Sequence, residues 1–550
     1  MRFVQTISRI PDAVEWMYSR DVNSHRHTKS QGPPAGSPHR AWGKSKITLQ
    51  EILPLVTLAG WLNAHSQIAG GAGIEAAKII PHDPAAIARA MLSDKEAAAR
   101  LRNSPGRPGY HFLAPANWMN DPNGPIFYRG YYHLFYQHNP YGDDWGNMHW
   151  GHARSRDLVH WEHLPIALWP SREAGEEHVF SGCANINSRG QPMIFYTSIA
   201  RGKSASDHAE QWAAISEDKD LVDWEKHPAN PVLAETVHGD VKIYDWRDPF
   251  IFHEGGRTFM VCGGNLNHAQ GGKSVVNVYQ AVNPEWTRWK YLGVLFRHPD
   301  PKVPNIECPN FFKLAGRWVL VVSPHRKVEY FIGTFDAEAG SFKAARTGIL
   351  DYGNYYAPNC LLDPKGRRIM WGWVNGFKKG MGWNGCLTLP RILSLTGDGQ
   401  LRQQPSPELR RLRGKQWSKT SLRLNDTTNV LAEVTGDKLE IITEFEPGAA
   451  KAYGLKFRRS GVDPKAVEIV CDGSQLEVAG VNVPVALDEQ NRLKLHIYLD
   501  KSVMEVFADD RACCTRVLET VPEGSRVELF AVGGEATVRS FQAWQLGSIW

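Results

Sequence analysis

The sequence predicts an all-β protein, a five-bladed β-propeller followed by a β-sandwich, with a short helical extension on the N-terminal side. Three observations predict it. A strand hairpin recurs five times in the middle of the chain at intervals of roughly 50 to 65 residues, the signature of a radial β array. Beyond residue 417 the texture changes to short alternating strands without helices between them, as in a sandwich of about 130 residues. Ahead of the repeats, Asp83-Pro84-Ala85 reads as an N-cap with proline at the first helical position. With 550 residues, two globular domains plus smaller segments are expected. We divide them as 1–70, a leader segment; 71–104, the helical extension; 105–404, the propeller; 405–417, a linker; and 418–550, the sandwich.

Residues 1–70 are polar, aperiodic and rich in His, Pro and Gly, apart from the apolar run Ile52–Leu62. Lys44 and Lys46 precede that run and Ala64-His65-Ser66 follows it. This order resembles a signal peptide and is too short to span a membrane, so a secreted or periplasmic protein is expected. A packing segment of a cytoplasmic protein is the alternative. The five hairpins begin at Asp121, Ser181, Asp248, Glu307 and Tyr356 and turn at Gly130, Gly190, Gly256, Gly316 and Gly366. A second repeat, RDLVHW (Arg156–Trp161), KDLVDW (Lys219–Trp224) and PEWTRW (Pro284–Trp289), places a tryptophan on the outer hairpins, where it is expected to pack between blades. In the last segment Leu493, Leu495, Ile497 and Leu499 face one way, and Lys494, His496 and Tyr498 the other.

The net charge of +5 is spread thinly, with no dense run of Lys and Arg, so no nucleic-acid partner is expected. Eight cysteines without a CxxC pair argue against zinc or a disulfide framework and for buried thiols. His149 and His152 sit three apart on a strand and point to opposite faces, which favours structural roles. No metal or cofactor is expected.

Asp121, Asp248 and Glu307 lie about eight or nine residues before their turn glycines, so the repeat puts them at one equivalent position and gathers them on the axis. Paired carboxyl groups break glycosidic bonds, one attacking as an anion and one donating a proton. The turn Pro122-Asn123-Gly124 should aim backbone N–H groups at Asp121 and lower its pKa, suiting it to attack. Arg247 should keep Asp248 charged. Glu307, among apolar neighbours and near two anions, should hold its proton.

These residues also carry a resemblance. NWMNDPNG (Asn117–Gly124), WGNMHWGHARSRDLVHW (Trp145–Trp161), FSG (Phe180–Gly182), RDP (Arg247–Pro249), ECP (Glu307–Pro309) and SVMEVFADD (Ser502–Asp510) closely resemble glycoside hydrolase family 32, the β-fructofuranosidases that include invertases, inulinases and levanases. The likeness runs in order over about residues 110–550. It implies a retaining β-fructofuranosidase with Asp121 as nucleophile, Asp248 as transition-state stabiliser and Glu307 as acid/base. It further implies a fructose pocket lined by Asn120, Gln137, Trp145, Phe180, Ser181, Arg247, Tyr356 and Trp373. Sucrose and short β-fructans are the expected substrates, with polymeric fructan or fructosyl transfer as alternatives, and a homodimer is among the expected partners. Asn359, in YAPN, stands where many relatives carry Gln, which puts the leaving-group side in question.

Overall fold

The computed structural model describes residues 83–550 apart from 102–103, 105, 268–272, 427, 459–465 and 520–523. The apolar run Ile52–Leu62 lies outside the described residues.

Five antiparallel sheets form the blades. Their innermost strands are Asn117–Tyr128, Glu176–Ile186, Tyr244–Glu254, Glu307–Leu314 and Tyr355–Leu362. Each of these strands touches the inner strand of the blade before and after it, and the fifth touches the first, so the ring is closed. Closure is reinforced where Trp383–Asn384, from a loop of the fifth blade, pairs in parallel with Asn117–Trp118 of the first. Each inner hairpin turns at a glycine whose φ lies in the left-handed region: 87° at Gly130, 81° at Gly190, 74° at Gly256, 78° at Gly316 and 75° at Gly366. A side chain would be strained at all five.

The repeated tryptophans pack between blades, as expected. Trp161 of blade one meets Trp371 of blade five at 6.4 Å. Trp224 of blade two meets Phe135 of blade one at 5.8 Å, and Trp289 of blade three meets Phe195 of blade two at 6.0 Å. All eight cysteines are buried free thiols.

Two six-stranded sheets make the sandwich. Leu493, Leu495, Ile497 and Leu499 point into its core with Leu439, Ile441 and Phe445. Tyr498, on the opposite face, is buried too, because that face packs on the propeller beside Tyr110.

Two boundaries differ from expectation. Residues 106–116 make no blade strand; they lie between propeller and sandwich, where Phe112 packs on Tyr136 and Trp161 of blade one and the N–H groups of Gly109, Tyr110 and His111 donate to Asp500. The linker of 405–417 is shorter, since the strand Arg413–Asn425 already pairs with Glu535–Leu546. It looked like a linker because it is a sheet edge with most side chains exposed.

The helix Pro84–Ala99 begins where expected, with Asp83 Oδ1 accepting from the N–H groups of Ala85 and Ala86. It buries Ile87 and Ala90 against Ile166 and Trp169 of the first blade.

Candidate active site

At the axis every inner strand breaks its pairing: between Met119 and Pro122's partners, Val179 and Gly182's, Arg247 and Phe250's, Glu307 and Asn310's, and Tyr356 and Asn359's. Three of the breaks enclose a proline, which has no N–H for a ladder, and the first ends on Pro122. The remaining one ends on Gly182, whose absent Cβ would lie 1.9 Å from the Phe195 carbonyl oxygen. Such irregularities re-aim side chains. Asp248, Cys308 and Ala357 take left-handed backbone there, with φ of 64°, 45° and 46°.

Aligned on Asp121-Pro122, Asp248-Pro249, Cys308-Pro309 and Ala357-Pro358, the repeat corrects one expectation: Glu307 does not share the position of the two aspartates. It lies one residue earlier, with Asn120, Arg247 and Tyr356. Contacts follow this division. Ser181 Oγ donates to Asp121 Oδ2 at 2.5 Å, and Cys308 Sγ lies 3.6 Å from Asp121 Oδ2 and 3.5 Å from Asp248 Oδ2. In the neighbouring tier Arg247 Nη2 donates to Glu307 Oε1 at 2.7 Å and the Tyr356 hydroxyl to Glu307 Oε2 at 2.6 Å. All three carboxyls therefore converge, but from two adjacent tiers.

The electrostatics reverse the order expected from chain neighbours. Burial pushes Asp121 up to about 6, against the donors Ser181 and Asn120 and with the help of the Glu307 charge. No backbone N–H of the Pro122-Asn123-Gly124 turn bonds its carboxylate; side chains supply the donors. Burial likewise raises Asp248 to about 7, although Arg247 and the Cys308 N–H pull it down. Glu307 is buried as well, but His325, Arg247 and Tyr356 outweigh burial and hold it at about 2. The physical reason is that the His325 ring and Arg247 both lie against Glu307, with Arg247 bonding Glu307 and Asp245.

The residues implied for the pocket divide further. Asn120 accepts from the Trp118 indole at 2.7 Å and donates to Asp121 Oδ1 at 3.0 Å. Trp145 leans on His178 and Phe180, with centroids 5.3 and 6.0 Å away, as an aromatic wall. Trp373 packs edge-on against Trp118. Gln137 is buried and donates to the Val179 carbonyl, tying blade one to blade two. Asn359 donates to the Gly182 carbonyl and lines a small void that it shares with Asp248, Ser181, Cys308, Asn123 and Asn310. His152 stacks on Phe135 and meets His133, while His149 bonds the Asn147 carbonyl.

Several contributors carried no sequence signal of their own. His325 Nε2 lies 3.6 Å from Glu307 Oε2. Asp245 bonds Arg247 at 3.2 Å, and Thr197 Oγ1 accepts from the Asp248 N–H at 2.9 Å. Their places follow from blade contacts; only the spacing of Asp245 from RDP could have drawn attention to it.

Residues 111–405 match the Glycosyl hydrolases family 32 N-terminal domain, and residues 408–545 match the Glycosyl hydrolases family 32 C terminal. The chain belongs to glycoside hydrolase family 32. Among family 32 relatives, the sucrose-6-phosphate hydrolase of Zymomonas mobilis is 31% identical over 500 residues, covering 83% of this chain and 96% of that protein. The levanase of Bacillus subtilis is 31% identical over 503 residues, covering 81% of this chain and 71% of that enzyme. Two solved family 32 folds are also similar. The β-fructofuranosidase of Bombyx mori has a TM-score of 0.71 at 26% identity over 84% of this chain and 99% of that one. The exo-inulinase of Aspergillus awamori has a TM-score of 0.70 at 25% identity over 82% and 99%. This family 32 protein is a fructose-releasing glycoside hydrolase.

Proposed function

We propose that the enzyme hydrolyses the terminal β-fructosyl bond of sucrose and short β-fructans with retention, through a fructosyl ester on Asp121. The observation that carries this reading is the pairing of two separately oriented carboxyls: Asp121 fixed by Ser181 and Asn120, Glu307 fixed by Arg247 and Tyr356. An Asp121 oxygen attacks the anomeric carbon while Glu307, protonated, gives its proton to the departing glycosidic oxygen and that C–O bond breaks. Glu307 then takes a proton from water, the hydroxide attacks the anomeric carbon, and Asp121 is released. Asp248, beside the Cys308 N–H, holds ring hydroxyls while positive charge grows at the anomeric centre. Trp145 and Phe180 offer apolar surface to the sugar.

Rapid acid quenching during turnover of an activated fructoside, followed by peptide mass spectrometry, should find the fructosyl label on Asp121. Asp121→Asn should fold, retain sugar binding and lose nearly all turnover. A label on another residue, or a first-formed fructose of inverted configuration, would sink the assignment. Side-by-side rates on sucrose, inulin and levan test the substrate reading, and a polymer rate well above the sucrose rate would move the enzyme to the levanase or inulinase side.

A further inference from the structure

The helix ahead of the propeller reaches the active site through a chain of buried hydrogen bonds. Asp94, on the helix Pro84–Ala99, is 7% exposed. Its Oδ1 accepts from Asn117 Nδ2 at 2.8 Å, and its Oδ2 meets His138 Nε2 at 2.5 Å. The other ring nitrogen of His138, Nδ1, is 2.8 Å from the Trp118 carbonyl oxygen. A carbonyl can only accept, so Nδ1 carries hydrogen. The nitrogen left for Asp94 and the Asp94 carboxyl therefore share one further proton, whichever of them holds it. Asp94 thus grips two consecutive residues at once: Asn117 by its side chain and Trp118 through His138.

From Trp118 the chain continues to the reacting carboxyl. The indole N–H can only donate, so it fixes which end of the Asn120 amide is oxygen. That leaves the Asn120 NH₂ to donate to Asp121 Oδ1. The backbone at Asn117 is left-handed, with φ of 64°, so the strand turns at the residue Asp94 holds.

We propose that Asp94, on the helical extension, is a positioning residue for Asp121. The inference rests on the nucleophile assignment above and deepens it. Asp94 touches neither substrate nor the reacting atoms; it acts by holding Asn117 and Trp118, and through them the Asn120 amide. The groups facing Asp121 are Ser181, Asn120, Cys308 and the charges of Glu307 and Asp248. Of these, only the Asn120 donor depends on this chain. Loss of that donor removes a hydrogen bond that favours the Asp121 anion, so the pKa of Asp121 rises and the acid limb of kcat, which reports the sugar-bound enzyme, moves to higher pH.

The test uses the full chain with Asp94→Ala, Asp94→Asn and, as control, Ile87→Ala, which loosens the same helix at its apolar contact with Ile166 and Trp169. Asp94→Ala should lower kcat by about 10- to 100-fold, the scale of a small misplacement of a reacting group. Its KM should hold within about twofold, and its acid limb should move up. Asp94→Asn keeps an acceptor for Asn117 and offers N–H to a neutral His138, so it should recover most of kcat. Ile87→Ala should lower Tm while leaving kcat and the limb in place. Wild-type kcat and limb in Asp94→Ala would overturn the proposal. So would an Ile87→Ala variant that loses kcat to the same extent at an equal fall in Tm, since the helix would then serve stability alone. Labelling the unmodified enzyme separates the two failures: label absent from Asp121 refutes the nucleophile assignment, whereas label on Asp121 with an unaffected Asp94→Ala refutes only the positioning role.

Discussion

Glu307 holds two donors that favour its anion, Arg247 and the Tyr356 hydroxyl, with the His325 ring beyond them. A carboxyl pinned near 2 is a poor proton donor until something competes for those donors, and the hydroxyls of a bound sugar have the chemistry to do so. Replacing Tyr356 by Phe removes one of them. Because a donor to a carboxylate lowers its pKa, its removal raises that of Glu307 and, in the sugar-bound enzyme, should carry the alkaline limb of kcat to higher pH. An unmoved limb in a full pH profile would separate Tyr356 from the proton donor. Glu307→Ala should lose about two to four orders of magnitude on sucrose, and much less on an activated aryl fructoside whose leaving group needs no proton. Equal losses on both substrates would make Glu307 a binding residue. That these carboxyls gather at one end of the blades was legible in the sequence, because hairpin spacing and family motifs both point there. Their charge states were not. Arg247 bonds Glu307, 60 residues away, as well as acting on its neighbour Asp248, a choice made by tertiary contact between blades.

At the scale of the element, what the sequence displays is what repeats. Five hairpins with a glycine at a left-handed turn are readable because strand alternation and φ constraints act within about 20 residues. Segments whose conformation depends on a distant partner are not, as the edge strand Arg413–Asn425 and the run 106–116 illustrate. The blade tryptophans lie between these cases: their spacing is local, while their role is a contact between neighbours. Trp224 is fully buried, donates its indole N–H to the Leu221 carbonyl and meets Phe135 of the blade before it. Trp224→Ala should therefore cost about 3 to 5 kcal/mol, as other large-to-small core replacements do. Leu362, 58% exposed at the end of a blade strand, should change stability by less than about 0.5 kcal/mol when replaced by Ala. Urea unfolding of the two variants measures the contrast, and equal midpoints would mean that the blades are not held together by this aromatic layer.

In the whole molecule, the contact between propeller and sandwich is ionic at its centre. His111 bonds Asp500 at 2.9 Å and Glu505 at 3.1 Å, and Glu505 also takes Arg391 at 2.6 Å and the Leu389 N–H at 2.7 Å. Arg391 in turn meets Asp351 at 2.9 Å. Glu505 belongs to SVMEVFADD, so the C-terminal motif that helps to mark the family serves here to dock one body on the other. Burial opposes the charge on His111, yet its bonds to Asp500 and Glu505 raise its pKa from 6.5 to about 9. A basic group raised on folding stabilises the fold fully below its unfolded pKa and loses that contribution as pH climbs through the folded one. The window is therefore pH 6.5 to 9, and at 1.36 kcal/mol per unit the loss across it is about 3 kcal/mol. Denaturant unfolding from pH 6 to pH 9.5 should show this decline. His111→Gln should begin less stable at pH 6, because two buried carboxylates lose their shared cation, and should show a flatter profile over the window. If the variant declines as steeply as the parent enzyme, the pH sensitivity belongs to other groups and the His111 bridge is neutral where the two bodies meet.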